Sequence, residues 1–162
     1  MPNRTVCWAF AWADERIVTV DALPVDSFYD KEARRRFLLP LLAAIEAAGI
    51  QTGHNLARFD VVVIQAECML LGLPRLGPLM LQDTIRVGKT KGFRKGLDNM
   101  SHALGVKQEK MPLNWAQWEQ AYGEDGLETV KERCASDVLM QLEMRDRMLE
   151  EGWLKAPRIW SP

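Results

Sequence analysis

GHNLARFD, Gly53 to Asp60, is the stretch on which the reading of this chain turns. Before it, Ile50–Gly53 reads as a short strand. After it, Phe59–Leu71 carries Phe59, Val62, Val63, Ala66, Met69 and Leu70 at helical spacing and is stopped by Gly72 and Pro74. In open α/β sheets the carboxyl end of a strand is where ligands bind. Asp60 falls in the first helical turn, where a carboxylate favours the positive end of the helix, and Asn55 is a common turn residue. The chemistry comes from the grouping of His54, Asn55, Phe59 and Asp60 within seven residues. A carboxylate there can hold a hard cation, and the neighbouring amide can fix a phosphate or a sugar.

Outward from this segment the elements alternate. Thr5–Trp12 and Ile17–Val20 are β-favouring runs separated by Asp14 and Glu15, which predicts a hairpin. Asp30–Ala48 predicts a helix closed by Gly49, with Pro40 expected to kink it or split it in two. LMLQDT predicts a short strand ending near Asp83. Helices are expected at Leu97–Leu104, Asn114–Tyr122 and Gly126–Glu150. WLKAPRIWSP, with two prolines in ten residues, cannot continue the last of them. No repeat, linker or low-complexity tract interrupts the chain, so residues 1–162 read as one domain of α/β or α+β order.

Composition sets outer bounds. Of 162 residues, 48% are apolar and 27% charged, an ordinary globular balance. With 21 Lys and Arg against 22 Asp and Glu the formal charge is −1, which excludes binding to nucleic acid through global positive charge but leaves room for a local basic groove. No apolar run reaches the ~20 residues of a membrane helix, and no secretory pattern is seen, so no membrane partner is expected. Cys7, Cys68 and Cys134 are widely spaced and contain no CxxC, which fits a reducing cytoplasm better than a zinc ribbon or a disulfide framework. His54 and His102 are too far apart to predict a zinc pair. Neither GxxxxGK[ST] nor GxGxxG occurs.

Four further segments bear on function. The long C-terminal helix has an apolar stripe through Leu127, Val130, Cys134, Val138 and Leu142, with Asp137 beside it. A carboxylate at such a place needs a metal, water or a partner, and Arg133 stands one turn back. In LQDT, Asp83 ends a strand; by itself it reads as a turn residue. RVGKTKGFRK brings Arg86, Lys89, Lys91, Arg94 and Lys95 into ten positions without an acid, with two glycines and Phe93 interleaved. It reads as a mobile basic loop able to touch phosphates and stack on a base. Trp115, Trp118 and Tyr122 recur at helical spacing and read as core packing.

Taken in order, these segments resemble the DEDD exonuclease superfamily, the ribonuclease H-like family of polymerase proofreading domains and many phage-encoded 3′-5′ exonucleases. The likeness runs from about Cys7 to the end. GHNLARFD resembles the family's second motif, LQDT an Asp-Thr of phage-type members, KGLDNMSHALGV a Leu-Asp-x-Leu helix followed by Leu-Gly, and CASDVLMQLEM the third motif. The resemblance implies a mixed sheet flanked by helices and hydrolysis of DNA by two Mg²⁺ or Mn²⁺ ions ~4 Å apart. It makes Asp60 and Asp137 metal-ligating catalytic residues. It assigns His54, Asn55, Phe59, Asp83, Arg86, Lys89, Lys91, Arg94 and Lys95 to the substrate, a single-stranded DNA or a DNA 3′ end, in the cytoplasm (the host's, for a phage-encoded protein).

The sequence departs from that pattern in two places. The family's N-terminal D-x-E is absent, and TVCWAFAWADERIVTV looks like the second strand and its hairpin, as if the first strand were missing. Asp14 and Glu15 are adjacent and point to opposite faces of a strand, so they do not replace it. Arg133 and Glu132 stand where a water-orienting Tyr or His is expected. Two further expectations follow: an inactive nuclease fold that binds nucleic acid or protein, or a missing strand supplied from upstream or by a partner chain.

Overall fold

Alternation along Cys7–Ala11 and Val18–Ala22 produces the first two strands, β1 and β2, of a computed structural model that describes residues 4–87, 92, 96–108, 111, 113–114, 116–118, 120 and 127–162. The strands pair antiparallel, from Cys7 opposite Ala22 to Ala11 opposite Val18. Trp8 and Phe10 leave one face of this hairpin and Cys7 and Ala9 the other.

Helix α1 spans Lys31–Ala47 and starts where Asp30 accepts hydrogen bonds from the Glu32 and Ala33 amides, at 2.8 and 3.2 Å. Pro40 lies inside it, and the expected split does not occur. Pro40 and Arg36 both face solvent, where water can serve the Arg36 carbonyl that proline cannot. Strand β3 is Gln51–Gly53. Helix α2, Asp60–Leu71, ends at Gly72 in the left-handed conformation that glycine takes freely. Strand β4, Leu79–Asp83, runs parallel to β3, and β5, Arg158–Trp160, pairs antiparallel with β4. Only a non-helical ending is expected of the WLKAPRIWSP tail; that it forms a strand is a finding. Pro157 and Pro162 flank the paired residues and leave their amides available. Helices α3, Leu97–Ala103, and α4, Glu128–Glu150, lie between β4 and β5 in the chain. No helix among the described residues is long and apolar enough to cross a membrane.

The architecture is mixed α/β, but the single mixed sheet expected from the sequence is divided. Among the described residues β1 and β2 form one sheet and β3, β4 and β5 another. One apolar cluster nevertheless spans both: Trp8 from β1 and Leu81 from β4 are buried with Phe37, Leu38 and Leu41 of α1 and Val61, Ile64, Cys68 and Leu71 of α2. On the opposite side α4 packs along β1 and β2, with Val130 and Leu127 against Ala22 and with Cys7 and Trp118 at the margin. Further along, Met144 and Met148 of α4 pack on Val87 and Met100. The buried stripe of α4 thus follows the expected Leu127 and Val130, then passes to Met140, Met144 and Met148 rather than Val138 and Leu142. Trp118 packs as core. Trp115 and Tyr122 lie outside the described residues.

One ion pair inside the α1–α2 layer was not foreseen. Arg34 and Glu67 are salt-bridged with side chains 4% and 1% exposed. Arg34 also donates to the Phe28 carbonyl at 3.2 Å, and its guanidinium lies 5.2 Å from the Phe28 ring centre. Removing one partner strands the other charge in the core. Glu67→Ala is therefore expected to cost about 3–5 kcal/mol in urea unfolding. The double variant Arg34→Met/Glu67→Leu should lose much less than either single change.

Candidate functional site

Parallel pairing sets the carboxyl ends of β3 and β4 side by side, with Gly53 opposite Asp83. Asp83 is 7% exposed. Its carboxylate accepts the Asn55 amide at 2.8 Å, the Ala57 amide at 3.3 Å and the Ile85 amide at 3.1 Å. Asp83 therefore holds the GHNLARFD loop from inside. Asn55 takes φ +62, a left-handed turn that asparagine tolerates. Gly53 is closely packed: a Cβ there would stand 3.3 Å from Leu56 Cδ1 and 3.5 Å from Gln141 Oε1.

Thr84 adds a second tie. Its amide and its hydroxyl both donate to the Gly53 carbonyl, at 2.9 and 3.1 Å. His54 Nδ1 lies 3.1 Å from the same hydroxyl oxygen. With the hydroxyl proton directed to Gly53, Nδ1 carries the ring proton and donates, and Nε2 is the ring's acceptor.

Asp60 opens α2 at the mouth of this loop. Its residue surface is exposed, yet the surrounding protein removes enough water from the carboxyl, with the Asp83 charge adding to the effect, to raise its pKa to about 6. Asp137, on α4, is ion-paired with Arg133 one turn earlier, their side chains 29% and 8% exposed. Arg133 thus lies within the buried stripe of α4, between Val130 and Met140. The charges of Asp137 and Asp60 both oppose ionisation of the Cys134 thiol. Cys134 and Cys7 meet there thiol to thiol. Cys7, the donor, is pushed far above its ordinary value by that bond and by burial. Cys134, the acceptor, is held below its own.

Gln141 is the residue that sequence reasoning missed. Its Oε1 accepts the His54 amide at 3.1 Å, joining α4 to the loop. A lone glutamine one turn beyond Asp137 carries no signal of its own; only the tertiary pairing reveals it. Of the remaining expected residues, Phe59 is 53% exposed beside Asp60. Arg86 turns to the Ala156 carbonyl at 3.1 Å, tying itself to the C-terminal segment. Lys89, Lys91, Arg94 and Lys95, with Phe93, lie outside the described residues.

Among the described residues no three His, Cys, Asp or Glu side chains converge as a metal site. Asp60 and Asp137, the latter bound to an arginine, do not by themselves fit a pair of divalent ions, which need bridging and more carboxylates. Compared with protein-family models, curated proteins and solved structures, the chain finds no match.

The thiol pair gives this neighbourhood a reporter. At pH 8 iodoacetamide should alkylate Cys134 first, because its lowered pKa yields more thiolate. Cys7 and the fully buried Cys68, both shifted upward, should react later. Peptide mass spectrometry over time checks the order.

Proposed function

We propose that this chain is a ribonuclease H-like protein of the exonuclease type that engages DNA 3′ ends in a reducing cytoplasm. One observation carries the reading. Asp60 opens α2 beside a loop that Asp83 fastens at the carboxyl ends of two parallel strands, the place where open α/β sheets bind ligands. Carboxylates so placed suit phosphodiester hydrolysis assisted by Mg²⁺ or Mn²⁺, the chemistry that the sequence resemblance implies. On this reading Asp60 and Asp137 are one part of a larger ligand set. Phe59 offers an exposed ring for stacking on a terminal base. Arg86, Lys89, Lys91, Arg94 and Lys95 follow the phosphates.

Arg133 favours a second reading, an inactive nuclease fold that binds DNA or a protein partner. Its guanidinium occupies Asp137 in the manner a cation would.

Degradation of 5′-labelled single-stranded DNA in Mn²⁺ separates the two. The first reading expects shortening from the 3′ end, reduced at least about 100-fold by Asp60→Asn or Asp137→Asn in variants that unfold like the wild type. Cleavage unaffected by both changes would sink it. DNA binding without cleavage, unchanged by Asp60→Asn, selects the second.

A pH series adds an independent check. Asp60 titrates near 6 and is protonated below that value, so Mn²⁺ must displace its proton in acid. Calorimetric Mn²⁺ affinity should fall about tenfold per pH unit below 6 and level off above it. Asp60→Asn should remove that dependence.

A further inference from the structure

We infer that Cys7 and Cys134 are a redox couple: a hydroperoxide joins them as one disulfide that locks β1 to α4, and free thiols release it. This holds whether or not the chain cleaves DNA.

Cys7 opens β1 and stands opposite Ala22 in the hairpin. Its Sγ lies 3.9 Å from the Val130 carbonyl oxygen on α4. In an α-helix the carbonyl of residue 130 accepts the amide of residue 134. The Cys7 sulfur therefore rests against the turn that carries Cys134, and the two thiols hydrogen-bond to each other. The surroundings suit this closeness. Ala22, across the hairpin from Cys7, is buried with Leu127 and Val130 of the helix side. Ala9 is the next residue of β1 on the same face. Small side chains there let the helix approach until a strand side chain touches its backbone.

Exposure separates this pair from the third cysteine. Cys7 and Cys134 are half-buried, whereas Cys68 is 0% exposed inside the α1–α2 cluster. A small oxidant can thus reach the pair and not Cys68. The hydrogen bond from Cys7 holds the Cys134 thiol below its ordinary pKa, so Cys134 supplies the attacking thiolate.

With hydrogen peroxide the thiolate attacks one oxygen. An S–O bond forms and the O–O bond breaks. The departing oxygen takes up the proton that Cys134 had released and leaves as water. Cys134 is then a sulfenic acid, oxidised by two electrons, and the peroxide is reduced. The hydrogen bond to Cys134, the largest cause of the upward shift of Cys7, is lost with the thiolate. Cys7 gives up its proton and attacks the Cys134 sulfur. The S–S bond forms, the S–O bond breaks, and hydroxide leaves with that proton as water. Two thiols and one hydrogen peroxide thus give one disulfide and two waters. Two glutathione thiols reverse the bond through a mixed disulfide and are themselves oxidised to glutathione disulfide. The bond ties the first strand to the last helix, nearly the whole chain apart, and so restricts the unfolded chain strongly.

Glutathione redox buffers test this on the intact chain, with the Cys7–Cys134 linkage read by peptide mass spectrometry after alkylation. Thiols already in contact join more readily in the folded chain than in denaturing urea. The folded pair should reach half oxidation at a value of [GSH]²/[GSSG] at least about thirtyfold above that needed in urea. By the same linkage the oxidised chain should melt about 5–10 °C above the reduced one. Under hydrogen peroxide, dimedone should trap a Cys134 sulfenic acid in Cys7→Ser and at least about tenfold less of it in the wild type. A midpoint equal to that in urea, an oxidised chain that melts no higher, a disulfide between two chains or to Cys68, or equal dimedone labelling with and without Cys7 would overturn the inference.

Discussion

The carboxylate of Asp83 is the constraint on which the candidate site depends. A loop that leaves one strand and enters a helix must satisfy its amides without a sheet partner. Here one side chain from the adjacent strand takes two of them, and the amide of Ile85 as well. Parallel register then brings Gly53 opposite Asp83, and a Cβ at Gly53 would press on the Leu56 side chain at 3.3 Å. That anchoring sets the backbone at Asn55 and Ala57, while Thr84 and Gln141 hold His54. A residue that by itself reads as a strand-ending turn in the sequence is, in the fold, the fastening of the loop.

Helix α4 is the second organising element, and its buried side is not uniformly apolar. Two apolar clusters sit at its two ends, one on the hairpin and one on α3. Between them the stripe carries Arg133, with Asp137 beside it. A buried guanidinium is tolerated because its counter-charge lies one helical turn away. The site therefore occupies the part of the helix where apolar packing gives way, which leaves polar side chains such as Gln141 free to reach the loop.

Much of this was legible in the sequence, and the failures have physical causes. The hairpin, α1, α2, β4 and the last helix follow from periodicity and stop signals, since Gly72 and Asp30 cap as such residues should. Pro40 misleads because a helix breaker is harmless where its orphaned carbonyl faces water. The strand at Arg158–Trp160 is hidden because prolines argue against a central strand but not against an edge. Asp60, Asp137 and His54 were singled out through the family resemblance, since each by itself reads as an ordinary cap, helix-edge or turn residue. Arg34–Glu67, Gln141 and the Cys7–Cys134 contact were not, because each joins segments far apart in sequence and has no local pattern.

The hairpin at the front of the chain is closed by a helix from its far end. The face of β1 that holds Cys7 and Ala9 has no described cover except α4, which is synthesised long after the hairpin. During translation that face emerges early and waits, with non-local contacts made only at the last stage. Order of synthesis thus sets a vulnerable interval in which an apolar hairpin face and an open strand edge stand exposed together.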